Sequence, residues 1–258
     1  MRTFITLLQK ELMENFRNGK WIWLPIAFMI IGISQPITTY YMPQILESAG
    51  NLPEGTVIEI PTPPGSEVLA ATLSQFGTVG SLLFVLAAMG VIANERQSRA
   101  LTLVMVRPVS AFQYIASKWT GQILIALIAF VLSYGLTFYY TNLLFEPVRW
   151  EFLFSSFLIY CLWIIFIISV TILAGTLLKS ASGIAAVSVL TVGGLSVVSN
   201  LFSKFTAWSP TNLRTHAVAI LMDGKLLENS MTVILTTIAL TVLCLFLATM
   251  RFQRFEQY

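Results

Sequence analysis

FLFSSFLIYCLWIIFIISVTILAGTLL, residues 152–178, runs for 27 positions between Glu151 and Lys179 without a charged side chain. A bilayer core of about 30 Å takes about 20 helical residues at about 1.5 Å each. The stretch is long enough to cross. Five further windows between neighbouring charges have the same character: 21–46, 68–94, 119–145, 180–203 and 229–250. A membrane β-barrel would show segments of about 10 residues with alternating polarity, and these runs do not alternate. The six windows hold 153 of the 258 residues, so they decide the fold class: an all-α polytopic membrane protein with six transmembrane helices.

Composition agrees. Only 10% of residues are charged and 56% are hydrophobic, where a soluble domain carries about 25% charge. Mean hydropathy is +0.79. These values exclude a disordered chain, a nucleic-acid-binding module and a typical soluble enzyme. The charges that remain set the expected orientation. With the N-terminus inside, 11 Lys and Arg fall on the inner side and 4 on the outer side: Arg149, Lys204, Arg214 and Lys225. Both termini are therefore expected in the cytoplasm. Met1 to Lys20 carries six charges and no short apolar core, so it is read as a retained segment rather than a cleavable signal.

The chain reads as a single transmembrane domain over 1–258. Residues 3–18 pattern as an amphipathic interfacial helix, with Phe4, Leu7, Leu8, Glu11, Leu12, Asn15 and Phe16 at three- and four-residue steps. The expected spans are 21–41, 69–93, 119–143, 152–178, 181–202 and 230–250. Pro36 is expected to kink the first span. An outer loop covers 43–66, where Thr56 to Ile60 suggests a short strand. The inner segment 94–118 contains a helical face of Leu101, Val104 and Met105, a stop at Pro108 and a cap at Ser110. A short outer amphipathic helix is expected over 209–223, capped by Ser209, with Leu213, Ala217, Ile220 and Leu221 on one face.

Much chemistry is missing from the inventory. Gly19-Lys20 and Gly224-Lys225 lack the other residues of a nucleotide-binding loop, so no ATP site is expected in this chain and the chain is not read as an enzyme. There is one His, His216, read as a surface residue, and no close Cys pair; no metal or cofactor site is expected. Cys161 and Cys244 read as packing residues. The only Asp is Asp223, which removes an aspartyl intramembrane protease. No predicted span contains Asp, Glu, Lys, Arg or His, which argues against ion coupling. Gln35, Thr38, Thr39 and Gln75 are candidates to line a path, with internal helix contact as the competing reading. The fifth span is rich in small residues, among them Ala186, Gly193 and Ser196. Packing within one subunit and a dimer interface both remain open for these three.

The inner segment carries a resemblance. Glu95, Leu101-Thr102-Leu103, Arg107-Pro108-Val109-Ser110 and Lys118 stand in the order found in the permease subunits of type-2 ATP-binding-cassette (ABC) transporters. The amphipathic helix, the six spans and the outer helix before the last span are similar as well. The chain most resembles the bacterial branch with small outer loops, and the resemblance covers nearly its whole length. One departure is Arg99-Ala100, where that family often has Gly-Thr. The resemblance implies a coupling segment over 95–110 that sits in a groove of a separate ATPase. Glu95, Arg96 and Arg99 would make its charged contact, and Leu101, Val104 and Met105 its apolar one, with Pro108 as the stop. It also implies two ATPase subunits holding ATP and Mg, a second copy or similar permease, a path lined by the first, second and fifth spans, and residence in a bacterial cell membrane. The function so implied is export. A non-transporting membrane partner of an ATPase and an ATP-independent channel or carrier are the alternatives. No nucleic-acid partner is implied.

Overall fold

The computed structural model describes residues 2–48, 61–98 and 109–255. Among these the chain forms helices and turns and no strand. The helices are α1 (Arg2–Arg17), α2 (Lys20–Ser48), α3 (Gly65–Gln97), α4 (Ala111–Leu144), α5 (Trp150–Leu177), α6 (Ala181–Leu201), α7 (Asn212–Asp223) and α8 (Ser230–Phe255). All except α1 and α7 are long and apolar enough to cross a membrane. The protein is therefore an all-α, six-span membrane protein. Within α3 the backbone widens into a π-turn over Phe76–Gly80.

Several boundaries differ from the sequence reading. The helix that carries the first span does not end near residue 41. It continues through Pro36 and Pro43 to Ser48, since each proline removes only one backbone donor. The segment read as an inner loop is shorter than expected, because Glu95 and Arg96 still belong to α3 and Lys118 lies two turns inside α4. Ser110 caps α4 as expected, its hydroxyl accepting from the Gln113 N–H at 3.3 Å. The outer helix begins at Asn212 rather than Ser209. Ser209 and Pro210 instead form the turn before it, their carbonyls accepting from the Asn212 and Leu213 N–H groups. The short strand suggested at Thr56 to Ile60 lies outside the described residues.

α5 is the central element. It packs against α3, α4, α6, α7 and α8. The apolar windows of α3 and α5 are each 61% buried, whereas those of α6 and α8 are 17% buried. α6 and α8 thus leave most of their apolar surface uncovered by the other described helices. In lipid, apolar area alone does not draw helices together, so close packing and polar contacts must do so. Aromatic rings supply part of that packing. Phe28 of α2 stacks on Phe84 at 4.5 Å, Phe76 of α3 meets Phe130 of α4 edge-on at 5.8 Å, and Phe130 stacks on Tyr160 of α5 at 4.8 Å.

α2 and α4 make the most intimate pair. Ser133 of α4 donates its hydroxyl to the Phe28 carbonyl of α2 at 2.6 Å. Gly32 permits that approach: a Cβ there would lie 2.5 Å from Thr137 Oγ1 and 2.6 Å from Ser133 Oγ. Gly32→Ala is expected to destabilise the bundle by about 1–3 kcal/mol through overpacking. Unfolding in mixed micelles checks this, and an unchanged midpoint would refute the close-approach reading.

Candidate functional site

Lys118 has no exposed surface, yet it carries an ammonium group. Its position is set by α4, where it follows Tyr114 by one turn. The ammonium donates to Glu11 of α1 at 2.7 Å and to the Val91 carbonyl of α3 at 3.0 Å, and stands 3.0 Å from the Glu95 carboxylate. Glu95 also accepts from the Tyr114 hydroxyl at 2.5 Å and from Lys10. One turn further along α1 and α4, the Gln122 amide donates to Asn15 at 3.0 Å. The network therefore joins three helices from distant parts of the chain. Phe252 near the end of α8 stacks on Tyr114 at 4.6 Å, so the C-terminal helix ends on the same side.

Charge balance explains how this network tolerates burial. Glu11 and Glu95 are 4% and 3% exposed, and Lys118 faces both. Burial still pushes the Glu11 carboxyl above its usual range, with Lys118 opposing the shift. Glu11, Glu14 and Glu95 lie close enough together to suggest a metal site. Lys10 and Lys118 meet their charge, however, and the cluster is an ion-pair network.

Of the sequence-derived coupling residues, Glu95 and Arg96 are described, and both make contacts within the chain. Arg96 donates to the Leu178 and Thr176 carbonyls at the end of α5, at 2.9 and 3.2 Å. Arg99, Leu101, Val104, Met105 and Pro108 lie outside the described residues. Gln35 and Thr39 are half-buried on α2, Thr38 is exposed, and Gln75 is half-buried directly before the π-turn. The nearby cavity between α3 and α6 has none of these four in its wall. On α6, Ala186 and Gly193 are exposed, and Ser196 is half-buried against Arg214.

Two residues on α7 overturn the sequence reading. α7 does not lie flat on the membrane surface but packs against α3 and α5, burying Leu213, Ala217, Ile220 and Leu221. This carries Arg214 inward. Its guanidinium sits over the Trp163 ring at 5.1 Å, thirteen residues from the start of α5 and fourteen from its end. That depth is about 20 Å from either end of the helix. A charge thus does reach membrane depth, from a helix outside the apolar windows. His216 is buried as well, at 4% exposure, and Nδ1 has no hydrogen-bond partner among the described residues; burial lowers its pKa. Amphipathicity of residues 209–223 was the available signal, but it does not separate a membrane face from a protein face.

Two outcomes follow from this geometry. Lys118→Ala takes the one fully buried cation from Glu11 and Glu95, leaving them only the partly exposed Lys10, and is expected to cost about 3–5 kcal/mol. Lys10→Ala, at a side chain 40% exposed, should cost about 1 kcal/mol or less. Equal losses in detergent unfolding would contradict the network. For His216, the unfolded chain takes up a proton below its ordinary pKa of 6.5 while the folded chain resists. This contribution to stability is present above that pH and lost on acidification below it. The thermal midpoint of wild type should thus fall more between about pH 7.5 and about pH 5.5 than that of His216→Gln. Parallel curves would refute a buried neutral His216.

Comparison with known proteins places the chain in a group. Residues 50–258 match the family described as "Protein of unknown function (DUF2705)". The chain is also 39% identical over 262 residues, covering 100% of both chains, to the "Uncharacterized transmembrane protein YxlG" of Bacillus subtilis (strain 168). With more than half its length matched, the chain belongs to the DUF2705 family of membrane proteins.

Proposed function

We propose that this protein is the membrane-spanning permease subunit of a bacterial ABC exporter. It works as a dimer, with itself or a similar permease, and is driven by two separate ATPase subunits that hold ATP and Mg. Both termini face the cytoplasm, as the 11-to-4 bias of basic residues supports. The chain itself performs no catalysis.

The observation that carries the reading is the Lys118 network. Glu95 and Lys118 stand on either side of residues 99–108 and are joined to each other and to Glu11 of α1. Force applied to the intervening segment would move α1, α3 and α4 together. In this reading Arg99, Leu101, Val104, Met105 and Pro108 form the surface that meets the ATPase. Glu95 and Arg96 act as positioning residues, because their side chains are engaged within the permease. Arg96 extends the linkage to the end of α5.

The test is purification from the native membrane in mild detergent, followed by mass spectrometry. An ABC-type ATPase in equal amount is expected, with a second permease copy or a similar chain. Glu95→Gln should leave that complex intact and lower its stimulated ATP hydrolysis roughly 5-fold or more. A chain that came alone, even with ATP hydrolysis trapped, would refute the assignment.

A further inference from the structure

A cavity of about 160 Å³ opens beside Arg214 between α3 and α6. Its walls include Gly77, Ser81 and Val85 on α3 and Val192, Gly193 and Ser196 on α6. Thr78, Leu82 and Val189 complete it and are exposed on the outside of the described bundle. The pocket therefore has a cationic head and an apolar side opening.

Arg214 is held in place but not neutralised. Nη1 donates to the Gly77 carbonyl in the π-turn at 3.0 Å, Nη2 to Ser196 Oγ at 3.2 Å, and Nε to its own turn at Thr211 O, 3.5 Å away. The Trp163 indole beneath it donates to Ser81 Oγ at 3.2 Å. The π-turn leaves no room for a side chain at Gly77, since a Cβ there would lie 2.9 Å from Arg214 Cδ. Among the described residues no carboxylate pairs with Arg214. A guanidinium has five N–H donors, so two remain for a ligand. A cation at membrane depth, fixed by neutral groups and bordering an apolar cavity, lacks only an anion.

We propose that this cavity binds a phosphate-headed anionic amphiphile, with the head on Arg214 and the chain passing out between Leu82 and Val189. The guanidinium fork matches phosphate oxygens, and the walls match a hydrocarbon chain. A resident bilayer lipid and a transported amphiphile share this chemistry. The site does not depend on the ATPase reading: lipid binding would survive if no ATPase partner existed, and a partner would survive if the cavity proved empty of lipid.

The test is native mass spectrometry of the full chain in detergent, with equimolar phosphatidylglycerol and phosphatidylcholine of matched chains. One phosphatidylglycerol should bind with at least about tenfold preference. Arg214→Gln should abolish the preference and Arg214→Lys retain part of it. Gly193→Leu provides a variant that leaves Arg214 alone: Gly193 is part of the cavity wall, no atom among the described residues lies within 4 Å of a Cβ there, and the added side chain is expected to narrow the cavity. It too should abolish the preference, even if Arg214→Gln fails to fold. Wild-type preference in Gly193→Leu would overturn the proposal. So would displacement of the lipid by inorganic phosphate at equal concentration, which would make the site one for a free anion.

Discussion

An ammonium group without solvent contact must be met by negative charge, and Lys118 is met from two directions. Glu11 arrives from the first helix and Glu95 from the end of α3. Removing either carboxylate takes from Lys118 the partner that ties it to α1 or to α3, so the three helices are constrained as a unit. The remaining contacts at this end fit around that constraint. Tyr114 completes Glu95, Gln122 continues the same α1–α4 seam, and Arg96 closes the end of α5. α1 is thereby made part of the bundle, while Met13 and Phe16 remain exposed on its other side, suited to a membrane surface.

The same logic recurs deeper in the molecule. Spans surrounded by hydrocarbon gain little from apolar contact with one another. Specific association comes from backbone groups and hydroxyls that find partners across helices. Ser133 bonds to the Phe28 carbonyl, Trp119 to Ser169, and Arg214 to Gly77 and Ser196. The π-turn in α3 matters here because it places the Gly77 carbonyl within reach of a side chain from α7. Two polar anchors thus hold the bundle, one at the end that carries the termini and one near the middle of α5. They differ in one respect: Lys118 is balanced by carboxylates, and Arg214 has none among the described residues.

Legibility in the sequence followed the rule each residue obeyed. The six spans were readable because long uncharged runs have few other uses, and the Ser110 cap because its role is local. Glu95 and Lys118 were marked by motif resemblance, but their partner was not. Glu11 sat at an apolar step of an amphipathic helix, where periodicity assigned it to the membrane face. The pairing of Lys118 with Glu11 is not legible, since burial by a distant carboxylate leaves no local trace. Arg214 and His216 were assigned to a solvated outer segment because residues between spans are ordinarily wet. α7 breaks that rule by packing inward, which depends on the shapes of α3 and α5 rather than on its own residues.

The central claim is that Glu95 and Lys118 act as one buried unit that links the two sides of the 99–108 segment. A double-mutant cycle tests it most directly, using Glu95→Gln, Lys118→Met and the pair, with unfolding free energy measured in mixed micelles. The account predicts that the double variant is less damaged than the sum of the singles, by about 2 kcal/mol or more. Additive losses would mean that the two charges do not sense each other, and would contradict the account.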